Sequence, residues 1–155
     1  MDEKGLSEEE YRAFIGKEAD YYIEKWSDMD GRHSKWSWNW GAFFFHELWF
    51  AYRKMYLYAL ILYIIFFLIM IIPFWYIQVN DEVLANFVKI ARLLFWIPIA
   101  IYANYLYRRH ADKKITEFKS TCIGELITSE LAKRGGTTLV APVIVLVFET
   151  LLIFM

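Results

Sequence analysis

Three charged residues lie inside long apolar segments, and their types and spacing could support chemistry there. Lys89 and Arg92 interrupt the apolar segment from Val83 to Tyr107, and Glu149 interrupts the apolar C-terminal segment. Charges surrounded by hydrocarbon are costly, so such groups tend to pair. Lys89 and Arg92 are three residues apart and share a helical face. We therefore predict an ion pair between Glu149 and Arg92 or Lys89. The alternative is that both bases extend outward and Glu149 is protonated or reaches water.

A second candidate is the polar pair His46-Glu47, which stands among aromatic residues. It lacks the second histidine of the His-Glu-x-x-His zinc motif. The remaining histidines, His33 and His110, show no ligand-like spacing, and the lone Cys122 excludes an internal disulfide and a multi-cysteine metal site. We find no glycine-rich phosphate loop and no serine nucleophile elbow. The sequence therefore predicts no catalytic residue, no cofactor and no metal.

The composition predicts that these residues are held by membrane-spanning helices. Hydrophobic residues make up 58% of the 155 residues and aromatic residues 20%, against about 45–50% apolar residues in soluble domains. Met55 to Ile77 contains no charged residue, and about 20 apolar residues suffice to cross a bilayer. We predict an all-α integral membrane protein with three transmembrane helices, at residues 55–78, 83–107 and 137–155. The net charge of −1 gives no basic footprint for nucleic acid.

Residues 35–54 are predicted to form an aromatic interfacial helix, capped by Asn39 and preceded by an extended lead-in that contains alternating tryptophans. Trp and Tyr favour the headgroup region, where the ring is buried and the polar atom stays hydrated. Arg53 and Lys54 would lie at the cytoplasmic boundary. The predicted interfacial anchor consists of Trp36, Trp38, Trp40, Phe43, Phe44, Phe45, Trp49, Arg53 and Lys54.

Residues 1–34 are predicted to be a cytoplasmic acidic segment that contains one amphipathic helix. Ser7 and Glu10 match a capping box, so a helix should begin near Glu8. Apolar residues then recur every three or four positions, which predicts one buried stripe. The stripe is Tyr11, Ile15, Ala19, Tyr22 and Trp26. Docking of this stripe on the protein's own aromatic segment is favoured over direct binding of a partner.

A further amphipathic helix is predicted in residues 108–134, on the cytoplasmic side between the second and third spans. Its apolar positions are Ala111, Ile115, Phe118, Cys122 and Leu126, and Gly135-Gly136 should end it. Lys and Arg concentrate on one side of the predicted spans, at positions 53, 54, 108, 109, 113, 114, 133 and 134. Because such residues favour the cytoplasmic side, we predict a cytoplasmic N-terminus and an external C-terminus.

The stretch "WSWNWGAFFFHELWFAYRKM" resembles a bacterial family of membrane proteins, domain of unknown function 2628. The resemblance rests on the Trp- and Phe-rich lead-in, the "FFF" run, a Trp, and "YRKM" before the first span. It implies a small bacterial inner-membrane protein, and it supplies no activity and no catalytic residues. Many members of that family have Gly-Pro after the Phe run. The presence of His46-Glu47 here favours an unbroken helix at this point.

These observations predict a protein without enzymatic activity, either an accessory subunit or a scaffold. It would bind a protein partner, or form a homo-oligomer, through a cytoplasmic layer made of the acidic helix, the aromatic helix and the helix in residues 108–134. Its other partner would be the lipid bilayer. The alternative function is an oligomeric transport or channel component that uses Glu149 and Arg92. A membrane enzyme is the third possibility.

Overall fold

A computed structural model describes residues 5–76, 82–121 and 126–154, with some side chains near the ends of the apolar helices left out. Within these ranges the chain forms α-helices and no β-strand, as the sequence predicts. The helices are α1 (Glu8–Ile15), α2 (Ala19–Gly31), α3 (Trp40–Tyr52), α4 (Tyr56–Tyr76), α5 (Glu82–Thr121), α6 (Leu126–Arg134) and α7 (Val140–Phe154).

The start of α1 confirms the predicted capping box. The Glu10 N–H donates to Ser7 Oγ at 3.2 Å, and the Ser7 N–H donates to the Glu10 carboxylate at 2.7 Å. The prediction of one continuous N-terminal helix is wrong, because α1 ends at Ile15 and Gly16 caps it with a φ of 79°. Glycine adopts this conformation without the steric cost that a side chain would add. The predicted stripe is nevertheless buried as a whole, at Tyr11, Ile15, Ala19, Tyr22 and Trp26.

Helices α1 and α2 dock on the protein itself, chiefly on α5 and α6. Two buried hydrogen bonds fix this docking. The Tyr11 hydroxyl donates to the Asp112 carboxylate at 2.7 Å, and the Trp26 indole N–H donates to the Asn104 carbonyl at 3.0 Å. Docking on the protein itself was predicted correctly, but its main surface is α5 and α6, and the aromatic segment contributes through the contact of Arg53 with Tyr22.

Helix α5 runs unbroken from Glu82 to Thr121, so the predicted boundary between a span in 83–107 and a separate helix in 108–134 is wrong. The segment "YRRHADKK" is strongly charged but holds no glycine or proline that would end a helix. Only the C-terminal part of the predicted amphipathic helix is separate, as α6, which ends before Gly135 as expected. Ala111 and Ile115 are buried. Cys122 lies outside the described residues.

The surface divides into an apolar and a charged part. Large apolar side chains are exposed along α4, along the first part of α5 and along α7, for example Leu57, Leu94 and Ile144 at 67%, 61% and 62%. One described helical stretch, Val88–Ser120, is long and apolar enough to cross a membrane, and Tyr56–Ile69 is a shorter apolar stretch. Most charged side chains lie instead on α1, α2, α6 and the part of α5 after Tyr107, which we call the polar layer, while Glu82 and Lys89 are exposed on the first part of α5.

Candidate functional site

The tryptophan-rich lead-in to α3 is extended, as predicted, and the structure shows that it lies along α5. The N–H groups of Ser37 and Asn39 donate to the carbonyls of Ile101 and Ala100, each at 3.0 Å. Ala100 is fully buried, and its small side chain lets the lead-in approach the α5 backbone. Asn39 is the predicted N-cap of α3, since its side-chain oxygen accepts from the Ala42 N–H at 2.8 Å.

Asn104 holds the lead-in against α5 through its side chain. Its amide nitrogen donates to Ser37 Oγ at 2.9 Å and lies 3.3 Å from the carbonyls of Ser37 and Trp38. Its amide oxygen accepts from the Asn39 side chain at 2.7 Å. Asn104 is 0% exposed, and Ser37 and Asn39 are also buried. Sequence reasoning assigned Asn104 no structural role, although an isolated amide within an apolar helix signals a buried polar contact.

Helix α3 is kinked at His46, so the prediction of an unbroken helix is wrong. His46 has a φ of 50° and a ψ of −129°, outside the helical region. The two parts of α3 fold towards each other, so that Gly41 lies close to the Trp49 ring. A Cβ atom at position 41 would be only 2.6 Å from this ring. Eight residues of straight helix would separate these positions by about 12 Å. At the kink, the His46 ring stacks on Trp96 of α5 with a centroid distance of 4.3 Å.

The predicted interfacial anchor falls into two groups. Trp36, Trp40, Phe44 and Phe45 are each more than 60% exposed and remain available to a membrane surface. The other five residues face inward to differing degrees. Trp38, Phe43 and Lys54 are half-buried, while Trp49 and Arg53 are buried at 6% and 2% exposure. Trp49 and Arg53 are therefore packed inside the protein and do not share the exposed surface of the first group. The ammonium of Lys54 donates to the carbonyls of Arg134 and Gly135, at the end of α6.

Arg53 lies in an aromatic cage that sequence reasoning missed. Its guanidinium carbon is 4.5 Å from the Tyr22 ring centroid, 5.1 Å from that of Tyr107 and 5.5 Å from that of Tyr52. Arginine is attracted to aromatic faces at such distances. Its Nη2 donates to the Tyr22 hydroxyl at 2.9 Å and pairs with the Glu18 carboxylate. We call Arg53 and these four neighbours the Arg53 cluster.

The guanidinium at the centre of the Arg53 cluster is only partly hydrogen-bonded. Nε and Nη1 of Arg53 are buried and have no hydrogen-bond acceptor among the described residues. Burial lowers the pKa of Arg53, although Tyr107 partly opposes this shift. Burial likewise raises the pKa of the Tyr22 hydroxyl. The cluster therefore holds the Arg53–Glu18 ion pair beside the tyrosine rings, and two buried N–H groups of the guanidinium remain for a further acceptor.

A cavity of about 710 Å³ adjoins the Arg53 cluster, between α2, α3 and the first part of α7. Its volume lies within the roughly 300–1,000 Å³ usual for small-molecule sites. Its lining contains Arg53, Glu18 and Tyr22, together with the apolar side chains Phe45 and Leu48 of α3, Leu139 directly before α7, and Pro142 and Leu146 of α7. This α3–α7 cavity and the Arg53 cluster together form the candidate site.

The remaining predicted residues are not gathered into this site. The side chains of Arg92 and Glu149 lie outside the described part of the chain, so the intramembrane ion pair stays a prediction. Lys89 is exposed, and the described contacts of α7 are with α3. Glu47 is buried beside the kink and His46 is half-buried. Among the described residues, no group of three or more His, Cys, Asp or Glu is placed to hold a metal ion.

Comparison with known proteins identifies a family and no activity. The model of the family described as "Protein of unknown function (DUF2628)" matches residues 6–113. No curated protein and no solved structure matches the chain. The matched region runs from the start of α1 into the polar layer of α5, and it includes every residue of the Arg53 cluster. Because the match covers more than half of the 155 residues, the chain belongs to the DUF2628 family of proteins of unknown function.

Proposed function

We propose that this protein is a three-span inner-membrane protein of bacteria that acts as a non-enzymatic accessory or scaffold subunit. In this proposal α4, the first part of α5 and α7 cross the bilayer, and the polar layer lies in the cytoplasm and binds a protein partner. The observation that carries the proposal is the division of the surface, with large apolar side chains exposed along α4, the first part of α5 and α7, and most charged side chains in the polar layer.

The exposed apolar side chains support the membrane part of the proposal. Monomeric soluble proteins rarely expose apolar patches larger than a few hundred Å², whereas lipid-facing helices are apolar outside. Helices α4 and α7 also begin at the same level, because the Thr138 N–H donates to the Tyr52 carbonyl at 2.9 Å. Arg108, which pairs with Asp30 of α2, and Arg109 would then lie on the cytoplasmic side, where Lys and Arg are favoured.

The charge of α1 and α2 supports the partner part of the proposal. Their outer face exposes acidic side chains while the apolar stripe on the opposite face is buried. The exposed acidic residues are Glu8, Glu9, Glu18, Asp20, Glu24, Asp28 and Asp30. Because complementary charge guides association, we expect a partner with a basic surface. The transport alternative depends on Glu149 and Arg92, whose side chains lie outside the described residues.

Cysteine labelling in intact cells tests the three-span arrangement. The native Cys122 is first replaced with Ser, and single cysteines are introduced at the exposed positions Glu82 and Thr116. We expect a membrane-impermeant maleimide to label the cysteine at 82 and to leave the one at 116 unlabelled until the cells are opened. Labelling at 116 in intact cells contradicts the proposed orientation.

Charge reversal tests the partner surface. We expect crosslinking of the intact protein in cells to capture a partner, and the double variant Glu9→Lys/Glu24→Lys to lose it. Glu82→Lys is the matched control, because Glu82 is also exposed but is the first residue of α5 and lies outside α1 and α2. If the double variant and the control capture the partner equally, the acidic face of α1 and α2 is not the partner surface.

A further inference from the structure

The α3–α7 cavity has two chemically different ends. Arg53 and Glu18 are the charged residues of its described lining, and they lie at the same end as the hydroxyl of Tyr22. Leu146 of α7 marks the opposite end, because it lies eight residues, or about 12 Å of helix, beyond Thr138, whose N–H contacts the Tyr52 carbonyl. Leu146 is exposed, as is Phe45, another apolar residue of the lining. A ligand that matches this lining has an anionic or polar head and a long apolar chain.

The direction of the cavity matches the direction of a lipid in a bilayer. Its charged end lies where α4 and α7 begin, since the Tyr52 carbonyl accepts from the Thr138 N–H there. From Leu139 to Leu146 the cavity follows α7 for seven residues, which is about 10 Å of helix. In the three-span arrangement, the charged end therefore lies at headgroup level and the apolar end points towards the bilayer centre.

The Arg53 cluster supplies the anion-binding group. The guanidinium is 2% exposed, and its Nε and Nη1 have no acceptor among the described residues. Its ion-pair partner Glu18 is 52% exposed and belongs to the turn before α2. A buried arginine binds phosphate or carboxylate oxygens through two parallel N–H groups. The Glu18 carboxylate thus approaches the guanidinium from the solvent side and occupies the position that another anion could take.

We propose that the α3–α7 cavity binds one anionic phospholipid, whose phosphate replaces Glu18 at Arg53 and whose acyl chain lies between α3 and α7. The proposal rests on the three-span arrangement, but it requires no protein partner. It makes Glu18 a competitor of the lipid, so that removal of the Glu18 charge strengthens lipid binding.

Native mass spectrometry of the full chain tests the proposal. The protein is released from nanodiscs that contain equal amounts of phosphatidylglycerol and phosphatidylcholine, and the retained lipid is measured. We expect phosphatidylglycerol to be enriched about tenfold, because one good charge-assisted contact suffices for this ratio. Glu18→Gln is expected to increase the enrichment, and Arg53→Gln to abolish it.

A groove-filling variant keeps the test valid even if Arg53→Gln fails to fold. Leu146→Trp fills the apolar end without altering the Arg53 cluster and should release the lipid. Ile144→Trp is the matched control, because Ile144 is exposed on the same helix outside the cavity lining and should retain the lipid.

Three results would overturn the proposal. The first is equal retention of both lipids by the unmodified protein. The second is unchanged phosphatidylglycerol retention in Leu146→Trp or Glu18→Gln. A dimer that Leu146→Trp dissociates and Ile144→Trp does not would also overturn the proposal, because it would assign the cavity to a second copy of the chain. The third is displacement of the lipid by inorganic phosphate alone, which would make this a simple anion site. Labelling of the cysteine at 116 is a separate measurement, so failure of the three-span arrangement is distinguishable from failure of the lipid site.

Discussion

The two halves of α5 have the same backbone and opposite surroundings. In the first half, Ile90, Leu93 and Leu94 are more than 50% exposed. In the second half, one face is completely buried. Its residues are Ala100, Ala103, Asn104, Tyr107, Ala111 and Ile115, each with 0% exposure. Large apolar residues therefore lie on the outside of the first half, whereas the buried face of the second consists mainly of alanines and polar residues, with Tyr107 and Ile115 as its large members.

The difference indicates that hydrophobicity and burial are uncoupled along this helix. In water, large apolar residues would be expected inside. Within a membrane, helices pack through small residues and polar contacts, because lipid is as apolar as leucine. The Ala and Asn residues of the second half fit this pattern, since they receive the lead-in backbone and the docked α2.

Asn104→Leu should have the largest effect. It removes the hydrogen bonds to Ser37 and Asn39 and leaves their buried polar atoms without that partner. Since each unsatisfied buried group costs about 1–3 kcal/mol, we expect the free energy of unfolding in mild detergent to fall by about 3 kcal/mol. Leu94→Ala, in the exposed half, should change it by less than about 0.5 kcal/mol. Equal effects of the two substitutions would remove the contrast between the halves.

Ala100→Leu tests whether small size matters in the second half. The Asn39 N–H reaches the Ala100 carbonyl at 3.0 Å, so a larger side chain should push the lead-in away. We expect a loss of about 1–3 kcal/mol in the free energy of unfolding, as for overpacked cores, measured by denaturant titration with tryptophan fluorescence. The same enlargement at the partly exposed Ala91 is the control and should be tolerated. A tolerated Ala100→Leu would show that the lead-in is not held closely.

Tyr11→Phe should have a smaller effect, through one buried hydrogen bond. The Tyr11 hydroxyl donates to Asp112 of α5 at 2.7 Å, and a hydrogen bond to a charged group contributes about 1.5–3 kcal/mol. Tyr102→Phe removes a comparable bond, from the Trp36 indole at 2.8 Å, but on the exposed side. We expect a loss near the lower limit for Tyr11→Phe and less than about 0.5 kcal/mol for Tyr102→Phe. The midpoint of thermal unfolding measures both.

The sequence predicted those features that depend on local chemistry. The Ser7 capping box, the Asn39 cap, the end of α6 before Gly135 and the buried stripe of α1 and α2 each depend on residues within about one or two helical turns. These predictions were correct because the interacting atoms are close in sequence. The stripe is buried although the helix ends at Gly16, since both short helices place their apolar residues on the inner side.

The failed predictions depend on contacts between distant residues. The boundary near Tyr107 was drawn from a change in charge, but charge changes the surroundings of a helix without ending it. The kink at His46 puts a non-glycine residue at positive φ. It occurs together with two contacts, the stacking of His46 on Trp96 and the close approach of Gly41 to Trp49. Arg53 was expected at the surface because bases flank spans, whereas its cage joins the neighbouring Tyr52 to Tyr22 of α2 and Tyr107 of α5, which no local pattern connects.

The smallest predicted effect is a pH dependence of stability at the C-terminal end of α5, where Lys119 pairs with Glu10 of α1 at 2.8 Å. Burial raises the pKa of Glu10, but the Lys119 and Ser7 contacts outweigh it, so the pKa lies below its ordinary value of 4.5. A carboxyl group with a lowered folded-state pKa stabilises the fold fully above its unfolded pKa and loses this contribution as the pH falls through the folded pKa. We therefore expect the free energy of unfolding to fall on acidification below about pH 4.5, by less than about 1 kcal/mol for this partly exposed pair. Glu10→Gln should flatten that part of the profile, while Glu9→Gln, on the exposed side of α1, should leave it unchanged. Identical profiles for the two variants would mean that the second half of α5 is held by its buried face without help from this ion pair.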